Sequence, residues 1–495
     1  MKRFIFNNYY ILRHDKKRTF ILSQGASIAT PKHLPVNTYW QSMVHPVYAM
    51  MLAFFSTPTT IVDACENISR FMQVDKKTVY SFINNLLEAK EPMHTELNGF
   101  CNDFPVNLII EEEKEVFPRV EYKPELFVFD EIDFNTRRMF SAPLSLVFMP
   151  NNNCYTKCIY CYADTKSRKN LLTFEEIEKF VYEAKSIGIR DFLITGGDIF
   201  MYRNWRQFFE LLKSVGYLSD LASTKKPLSK EEISDFSKFG IRLQVSLDSV
   251  IEETASKVLN VSDGYVAKMK QSLENIENAG ISYQIATVLT NRNDSIKELV
   301  SLRDYLKTLK HLERWEIRVA FKSLYSVIDF DNIKSSRKDI NSIEQWVKQN
   351  QKNFPCEILW SPDDDAKYNK IKDGSENFEG DACSANVNNM VVLPDGMVTI
   401  CEQLYWNSNF IIGNVKNSTL TEIWNSKKAI DLSLCSQSSI QNDSPCSTCK
   451  IFERCFRASN RCYVNIMKAY GIDNYDYPDP RCFWAPKFAL DITHE

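Results

Sequence analysis

The chain has 495 residues, with 60 Lys and Arg against 63 Asp and Glu, a formal net charge of −3 and 44% hydrophobic residues. That is a globular composition with room for about two to four domains. The charge is spread along the chain, so no basic block points to nucleic acid or an anionic membrane. The longest apolar runs, such as YAMMLAFF, fall well short of the ~20 residues of a spanning helix. MKRFIFNNYYILRHDKK opens with two positive charges, but Asn7 and Asn8 break its apolar run and no small-residue cleavage site comes after it. A strand in a cytoplasmic chain is therefore expected there, not a signal peptide.

Residues 1–100 read as a small αβ module. RFIFNNYYILRHDKKRTFILS suggests two strands around a charged turn at Asp15–Arg18, and three helices follow. In the third, Asp75 is placed to cap, and Val79, Phe82, Ile83, Leu86 and Leu87 recur with helical spacing. Residues 101–140 are aromatic and acidic, with strand-like pieces VNLIIEEE and LFVFDEI, and are expected to form a bridging region. From Leu144 strands and helices alternate: LSLVFMP, DFLIT, YLSDLAS, IRLQVSL, YQIATVL and WEIRVAF are the apolar strand candidates. The helices between them carry capping signals at Thr173/Glu176 and Ser229/Glu232 and apolar stripes such as Val266, Met269, Leu273 and Ile276. Such alternation predicts a parallel sheet, open or barrel-like, with its chemistry in the loops after the strands. Residues 336–380 are polar and are expected to form a helix and then a loop, a linker between a barrel at 141–335 and a cysteine-rich segment at 381–495.

Cysteine usage is the strongest signal. The chain has 14 cysteines. In a long chain without export signals, clustered cysteines point to metal ligation more than to disulfides. The six histidines lie away from them, which weakens mixed Cys/His zinc ligation. Cys65, Cys101, Cys356 and Cys435 are scattered. Cys154, Cys158 and Cys161 lie on one loop, NNNCYTKCIYCYA, directly after the first barrel strand. Three thiolates on a four-iron cluster leave one iron without a protein ligand, and that iron can take a small molecule. A structural zinc site or incidental thiols are the plain alternatives.

The CxxxCxxC loop after strand one, with Tyr160 just before the last cysteine, resembles the radical S-adenosylmethionine (radical SAM) superfamily over about residues 144–320. The resemblance implies an α/β fold, a partial (β/α)6 barrel, with a 4Fe–4S cluster on Cys154, Cys158 and Cys161. S-adenosylmethionine would chelate the open iron and be cleaved to a 5′-deoxyadenosyl radical. TGGD after strand two is similar to the family's Gly-Gly-Glu. Gly196, Gly197 and Asp198 would then hold the methionine ammonium, with an acid one methylene shorter than usual. VSLDS matches another family stretch, placing Ser246 and Asp248 toward the carboxylate and ribose of S-adenosylmethionine. TVLTNRN, at 287–293, resembles a segment near the adenosine. The plain readings are a turn for the glycines and a strand end with a helix cap for VSLDS.

The C-terminal cysteines resemble the SPASM extension. CSANVNNMVVLPDGMVTICEQ places a PDG hairpin turn between Cys383 and Cys401, and CSTCKIFERC holds Cys446, Cys449 and Cys455. One departure stands out: the family spacing puts a cysteine at 459, where this chain has Ser459, and Cys462 comes three residues later. The resemblance implies two auxiliary 4Fe–4S clusters. One is on Cys383, Cys401 and Cys462, with Cys435 or Cys356 as a fourth ligand or with an open position. The other is on Cys446, Cys449, Cys455 and Cys482. Two all-cysteine zinc sites are the alternative.

The N-terminal order of strands and three helices is similar to the winged-helix-like recognition element of enzymes that modify ribosomally made peptides, in which a leader peptide adds to a sheet edge. Together the resemblances imply an oxidoreductase-type peptide maturase. It would bind a precursor peptide and an electron donor such as flavodoxin or ferredoxin, and form a thioether or carbon–carbon crosslink. A peptide epimerase and a sulfatase-maturing, formylglycine-forming enzyme are same-class alternatives, the latter usually lacking the N-terminal module. A non-catalytic peptide-binding scaffold with zinc sites is the alternative from another class.

Overall fold

The computed structural model describes residues 2–25, 31–166, 168–217, 221–326, 328–362, 365, 380, 383–458 and 461–494. Much of the expected linker, part of YLSDLAS, and Ser459 lie outside the described residues. The chain divides into two compact units, 1–144 with 185–191 and 145–184 with 192–495.

The first unit contains β1 (Phe4–Phe6), β2 (Tyr10–His14), β3 (Thr19–Ser23), β4 (Gln41–Val44), α1 (Pro46–Ala53), α2 (Ile61–Met72), α3 (Lys76–Glu88), β5 (Met93–Leu97), β6 (Phe100–Phe104) and β7 (Ile109–Glu111). The N-terminal stretch forms three strands where two were expected. Asn7 and Asn8 interrupt it, and β1 leaves to pair antiparallel with β7. β2, β3 and β4 form an antiparallel sheet in that order. The charged turn is buried: Arg18 Nε donates to Asp15 Oδ2 at 3.1 Å, and both side chains are 0% exposed. Asp15 Oδ1 also accepts from the Phe140 and Ser141 amides, at 2.9 and 2.8 Å, so the ion pair pins the end of the unit. Asp75 caps α3 through the Thr78 amide at 3.0 Å, and Val79, Ile83 and Leu86 are buried in the unit's core. LFVFDEI is not a strand. Pro124 opens a 3-10 turn over Pro124–Phe127, because its fixed φ suits a first helical position, and Phe127 enters the core. Residues 101–127 thus contribute core, most of β6 and all of β7 to the unit that holds residues 1–100.

In the second unit the six expected strands are β8 (Ser145–Phe148), β9 (Asp191–Ile194), β10 (Leu221–Thr224), β11 (Arg242–Ser246), β12 (Tyr283–Leu289) and β13 (Leu312–Val319). They alternate with α4 (Phe174–Ser186), α5 (Trp205–Val215), α6 (Lys230–Ser237), α7 (Glu252–Leu259), α8 (Tyr265–Asn278) and α9 (Ile296–Leu306), the partial barrel of the radical SAM α/β fold. β10 to β13 pair in parallel, which requires the crossover helices. Six of the seven β12 residues are buried, as expected of a strand covered on both faces. Both capping boxes form. Thr173 and Glu176 exchange bonds of 2.8 and 3.2 Å, and Ser229 and Glu232 bonds of 3.0 and 3.1 Å.

Two strand features escape periodicity. After α10 (Arg337–Asn350), EILWS forms β14 (Glu357–Ser361), a further parallel strand beside β13, where a loop was expected. β15 (Asn389–Val392) pairs in parallel with β8 and antiparallel with β16 (Met397–Thr399), which pairs with β17 (Ile411–Asn414). The hairpin after Cys383 is therefore continuous with the strand that precedes Cys154. Its Pro394-Asp395-Gly396 turn has Gly396 at φ +87°, a conformation that favours glycine.

Candidate functional site

The loops at the carboxyl ends of the strands converge, as parallel α/β folds place their sites. The cysteine loop after β8 is anchored on both sides. Lys157 and Ile159 amides donate to Leu259 and Val258 carbonyls at the end of α7, both at 2.9 Å. The sequence reading had no α7, yet this helix carries the loop. On the other side the Gly197 amide donates to Asn151 O at 2.9 Å and the Asp198 amide to Asn153 O at 2.8 Å. A Cβ at position 197 would lie 2.1 Å from Asn153 O, and Gly196 has φ +115°. Both glycines are thus required by the approach of two loops.

Asp198 is 4% exposed, and its carboxylate is fully engaged by the chain. Oδ2 accepts from Thr224 Oγ1 and the Lys225 and Lys226 amides at 2.7, 2.9 and 3.1 Å, and Oδ1 from the Phe200 amide at 3.0 Å. Four bonds match a carboxylate's usual capacity. Through these bonds the side chain staples the loop after β9 to the end of β10. Burial pushes its carboxyl upward, against these bonds.

Asp248, at the end of β11, is 0% exposed. Its Oδ1 accepts from the Val288 amide at 2.8 Å. Its Oδ2 accepts from Tyr160 Oη at 2.5 Å and Lys225 Nζ at 3.1 Å. Asn293, in the TVLTNRN segment, donates to Asp248 O at 3.0 Å, so that segment clasps the aspartate. Ser246 is buried at the end of β11. Tyr160, Lys225 and Asp248 therefore form one unit joining the ends of β8, β10 and β11.

Lys225 carries no motif. The only signal available from sequence was its place at the end of a barrel strand. Its ammonium lies 5.5 Å from the Tyr160 ring centroid. Burial works to lower its pKa, but the charges of Asp248 and Cys158 outweigh that and raise it. Beside Tyr160, a cavity of about 320 Å³ is lined by Phe321, Ile328, Asp329, Phe330 and Ile333.

All fourteen cysteines are free. Burial pushes the Cys154 thiol up to about 12, helped by Cys161, Asp198 and Cys158, and burial also raises Cys161. Such thiols ionise readily only with a cation among them. Cys401 is likewise pushed up to about 12 by burial, with Cys462 and Cys383 contributing, and Cys462 is raised by burial, Asp479 and Cys383. Cys383, Cys401 and Cys462 are thus mutual neighbours. Cys435 bonds Ser439 Oγ at 3.2 Å. Cys446, Cys449, Cys455 and Cys482 line a single cavity with Phe452, Arg461 and Asp479. Burial pushes Cys482 up to about 11, and the other three cysteines add to it. Among the described residues no three His, Cys, Asp or Glu side chains close on one ion; a four-iron cluster takes each thiolate on a different iron. The three donor sets and the glycine cradle fit the cofactors that the resemblance implies.

A second connection escaped the sequence. Thr195 Oγ1 donates to Glu402 Oε2 at 2.8 Å, tying the end of β9 to the residue after Cys401. Burial, then Glu402 and Cys161, raise the Tyr162 hydroxyl beside them.

Comparison with known proteins agrees with this arrangement. Residues 149–303 match the Radical SAM superfamily, and residues 383–450 match SPASM, described as an iron–sulfur cluster-binding domain. The chain therefore carries a radical SAM domain followed by a SPASM domain. The first works with S-adenosylmethionine and a 4Fe–4S cluster, and the second binds auxiliary iron–sulfur clusters. Among curated proteins, a GTP 3′,8-cyclase of Campylobacter lari is 27% identical over 266 residues, 51% of this chain and 78% of that one. An Fe-coproporphyrin III synthase of Methanosarcina barkeri is 24% identical over 362 residues, 68% of this chain and 87% of that one. Among solved structures, Streptococcus suis SuiB bound to precursor peptide SuiA superposes with a TM-score of 0.64 at 15% identity, covering 97% of this chain and 100% of that one. SuiB bound to S-adenosylmethionine gives a TM-score of 0.63 at 14% identity, covering 97% and 99%. No helix among the described residues is long and apolar enough to cross a membrane.

Proposed function

We propose that this chain is an oxidoreductase-type radical SAM enzyme that modifies a ribosomally made peptide, by a thioether or carbon–carbon crosslink. The observation that carries this reading is the combination of a three-cysteine loop at the mouth of the barrel with two further cysteine sets in the SPASM segment. Cys154, Cys158 and Cys161 would hold the cluster that works with S-adenosylmethionine. Cys383, Cys401 and Cys462 hold a first auxiliary cluster, and Cys446, Cys449, Cys455 and Cys482 a second. When bound, S-adenosylmethionine and its cluster supply one-electron chemistry that removes a hydrogen atom from the peptide. The chain's own residues do the rest. Gly196 and Gly197 let the loop after β9 close onto the cysteine loop. Asp198 fixes the loop by its four internal bonds. Asp248 seats Tyr160 and Lys225, and Lys225 offers its ammonium to the ligand's carboxylate. Flavodoxin or ferredoxin supplies the electron.

The first unit is the surface for the leader peptide. β4 is an edge of its three-stranded sheet, and an open groove of about 750 Å³ runs along α3 past Lys76, Lys77, Tyr80, Ser81, Asn84 and Asn85. An extended peptide can add to a sheet edge, and the groove on α3 offers a further surface for its side chains. β4 is already tied to the β5–β6 hairpin, by Ser42 Oγ to Asp103 O and the His45 amide to Asn102 Oδ1, both at 2.7 Å. That hairpin therefore borders the peptide's path. The likeness of the fold to SuiB over nearly its whole length supports this reading.

The test is co-expression with short peptides encoded beside the gene, followed by tandem mass spectrometry. The reading expects loss of two hydrogens, a mass change of −2, and fragments that fail to separate between the joined residues. An epimerised residue leaves the mass unchanged, and that outcome would replace crosslinking by epimerisation.

A further inference from the structure

Among the described residues, Arg461 is the one cation that lines the cavity of Cys446, Cys449, Cys455 and Cys482. Its guanidinium is fixed on three sides. Nη2 donates to Asp476 O at 2.8 Å and to Tyr477 O, and the group lies 5.6 Å from the Phe456 ring centroid. Its Nε is buried and meets no acceptor among the described residues. The nearby carboxylates are engaged elsewhere. Asp479 pairs with Arg481 at 2.8 Å, and Asp476 accepts from the Gln441 amide at 2.7 Å. A buried charged donor without an acceptor is costly, and native folds rarely leave one unmatched unless a ligand completes it. The ligand that four thiolates in one cavity would hold is anionic and rich in sulfur acceptors. Arg461 also directly precedes Cys462, whose thiol belongs with Cys383 and Cys401. One dipeptide thus reaches both auxiliary cysteine sets.

We propose that Arg461 is the hydrogen-bond donor and fixed cation of the iron–sulfur cluster held by Cys446, Cys449, Cys455 and Cys482, and that it raises that cluster's reduction potential. The physical reason is simple. A reduced cluster carries one more negative charge than its oxidised form, so a nearby cation and an N–H bond to sulfur stabilise the reduced form more. This inference rests on the reading that those four cysteines bind a cluster, and it holds whichever peptide is modified.

The experiment is a redox titration of the anaerobically reconstituted full-length holoenzyme, monitored by electron paramagnetic resonance. The signal of the second auxiliary cluster is identified by its absence from the double variant Cys449→Ala/Cys455→Ala, which leaves two of the four thiolates. If that double variant keeps all the wild-type iron, the cluster reading itself fails. With that signal assigned, Arg461→Met is expected to keep its iron and to shift this one midpoint to a more negative value, leaving the other two in place. Arg461→Lys, which retains the cation but not the planar donor, is expected to fall between them. Unchanged midpoints in both variants, or equal shifts of all clusters, would overturn the inference. If Arg461→Met loses the cluster, Arg461→Lys decides: a midpoint below wild type supports the inference and one equal to wild type overturns it.

Discussion

The cysteine loop at 154–161 and the cysteines at 446–482 are built in opposite ways. The first sits on finished secondary structure. Its backbone is bonded to the end of α7 and meets the glycines after β9, and the strand before it enters a buried aromatic core in which Phe148 meets Phe180, Phe192 and Phe208 edge-on. The second rests on short elements. Ile451, Phe452, Phe456 and Pro478 line its cavity, and Ile466, Ala469, Tyr470 and Ile492 form a small cluster of buried residues in the same segment. Short 3-10 turns and one short helix carry Cys446, Cys449 and Cys455. The contrast predicts that the barrel shapes its site before any metal arrives, whereas the C-terminal segment needs metal to complete its interior.

Substitutions that damage each region should therefore fail differently. The largest effect is expected from Cys158→Ala, which removes one of three thiolates. Formation of 5′-deoxyadenosine from S-adenosylmethionine and reductant should cease, while circular dichroism and thermal unfolding stay near wild type. Turnover that persists would remove the assignment of this loop. Gly197→Ala forces a methyl group onto Asn153 O and should nearly abolish cleavage by parting the two loops; near-normal activity would show that the approach is not needed. Lys225→Met should weaken S-adenosylmethionine binding about tenfold to a hundredfold, the range of one hydrogen bond to a charged group. Binding of 5′-methylthioadenosine, which lacks the carboxylate, should be unchanged, and Lys225→Arg should recover most of the loss. Equal weakening of both ligands would make Lys225 a structural residue only.

Iron removal sharpens the contrast further. Chelation should raise hydrogen exchange throughout 440–485 while α4, α8 and the strands of the barrel keep their protection, and equal loss in both regions would contradict the comparison. The smallest effect is expected at the capping box. Thr173→Ala should cost about 1 kcal/mol of stability without altering the affinity for S-adenosylmethionine.

Legibility from sequence divides along the same line. The six barrel strands and the spacing of Cys154, Cys158 and Cys161 were legible because period and local order encode them. The PDG turn was legible because its glycine needs a positive φ. EILWS was not, since a short strand of mixed polarity after a polar helix shows no period. LFVFDEI misled because its aromatic residues enter a core through a 3-10 turn begun by Pro124. Asp198 and Asp248 were found at the site, but their partners were not. Thr224, Lys225 and Val288 come from different strand ends, and only the fold brings them within bonding distance. Arg461 was invisible for the same reason: its neighbours Asp476 and Tyr477 lie beyond a helix and a loop.

The central claim is a radical SAM enzyme with three iron–sulfur clusters. The most direct measurement is anaerobic purification with iron and sulfide counting, then incubation with S-adenosylmethionine and a reductant and assay for 5′-deoxyadenosine. The account predicts about twelve irons per chain, the sum of three four-iron clusters, with 5′-deoxyadenosine formed. Zinc in place of iron, or no cleavage by the iron-loaded protein, would contradict it.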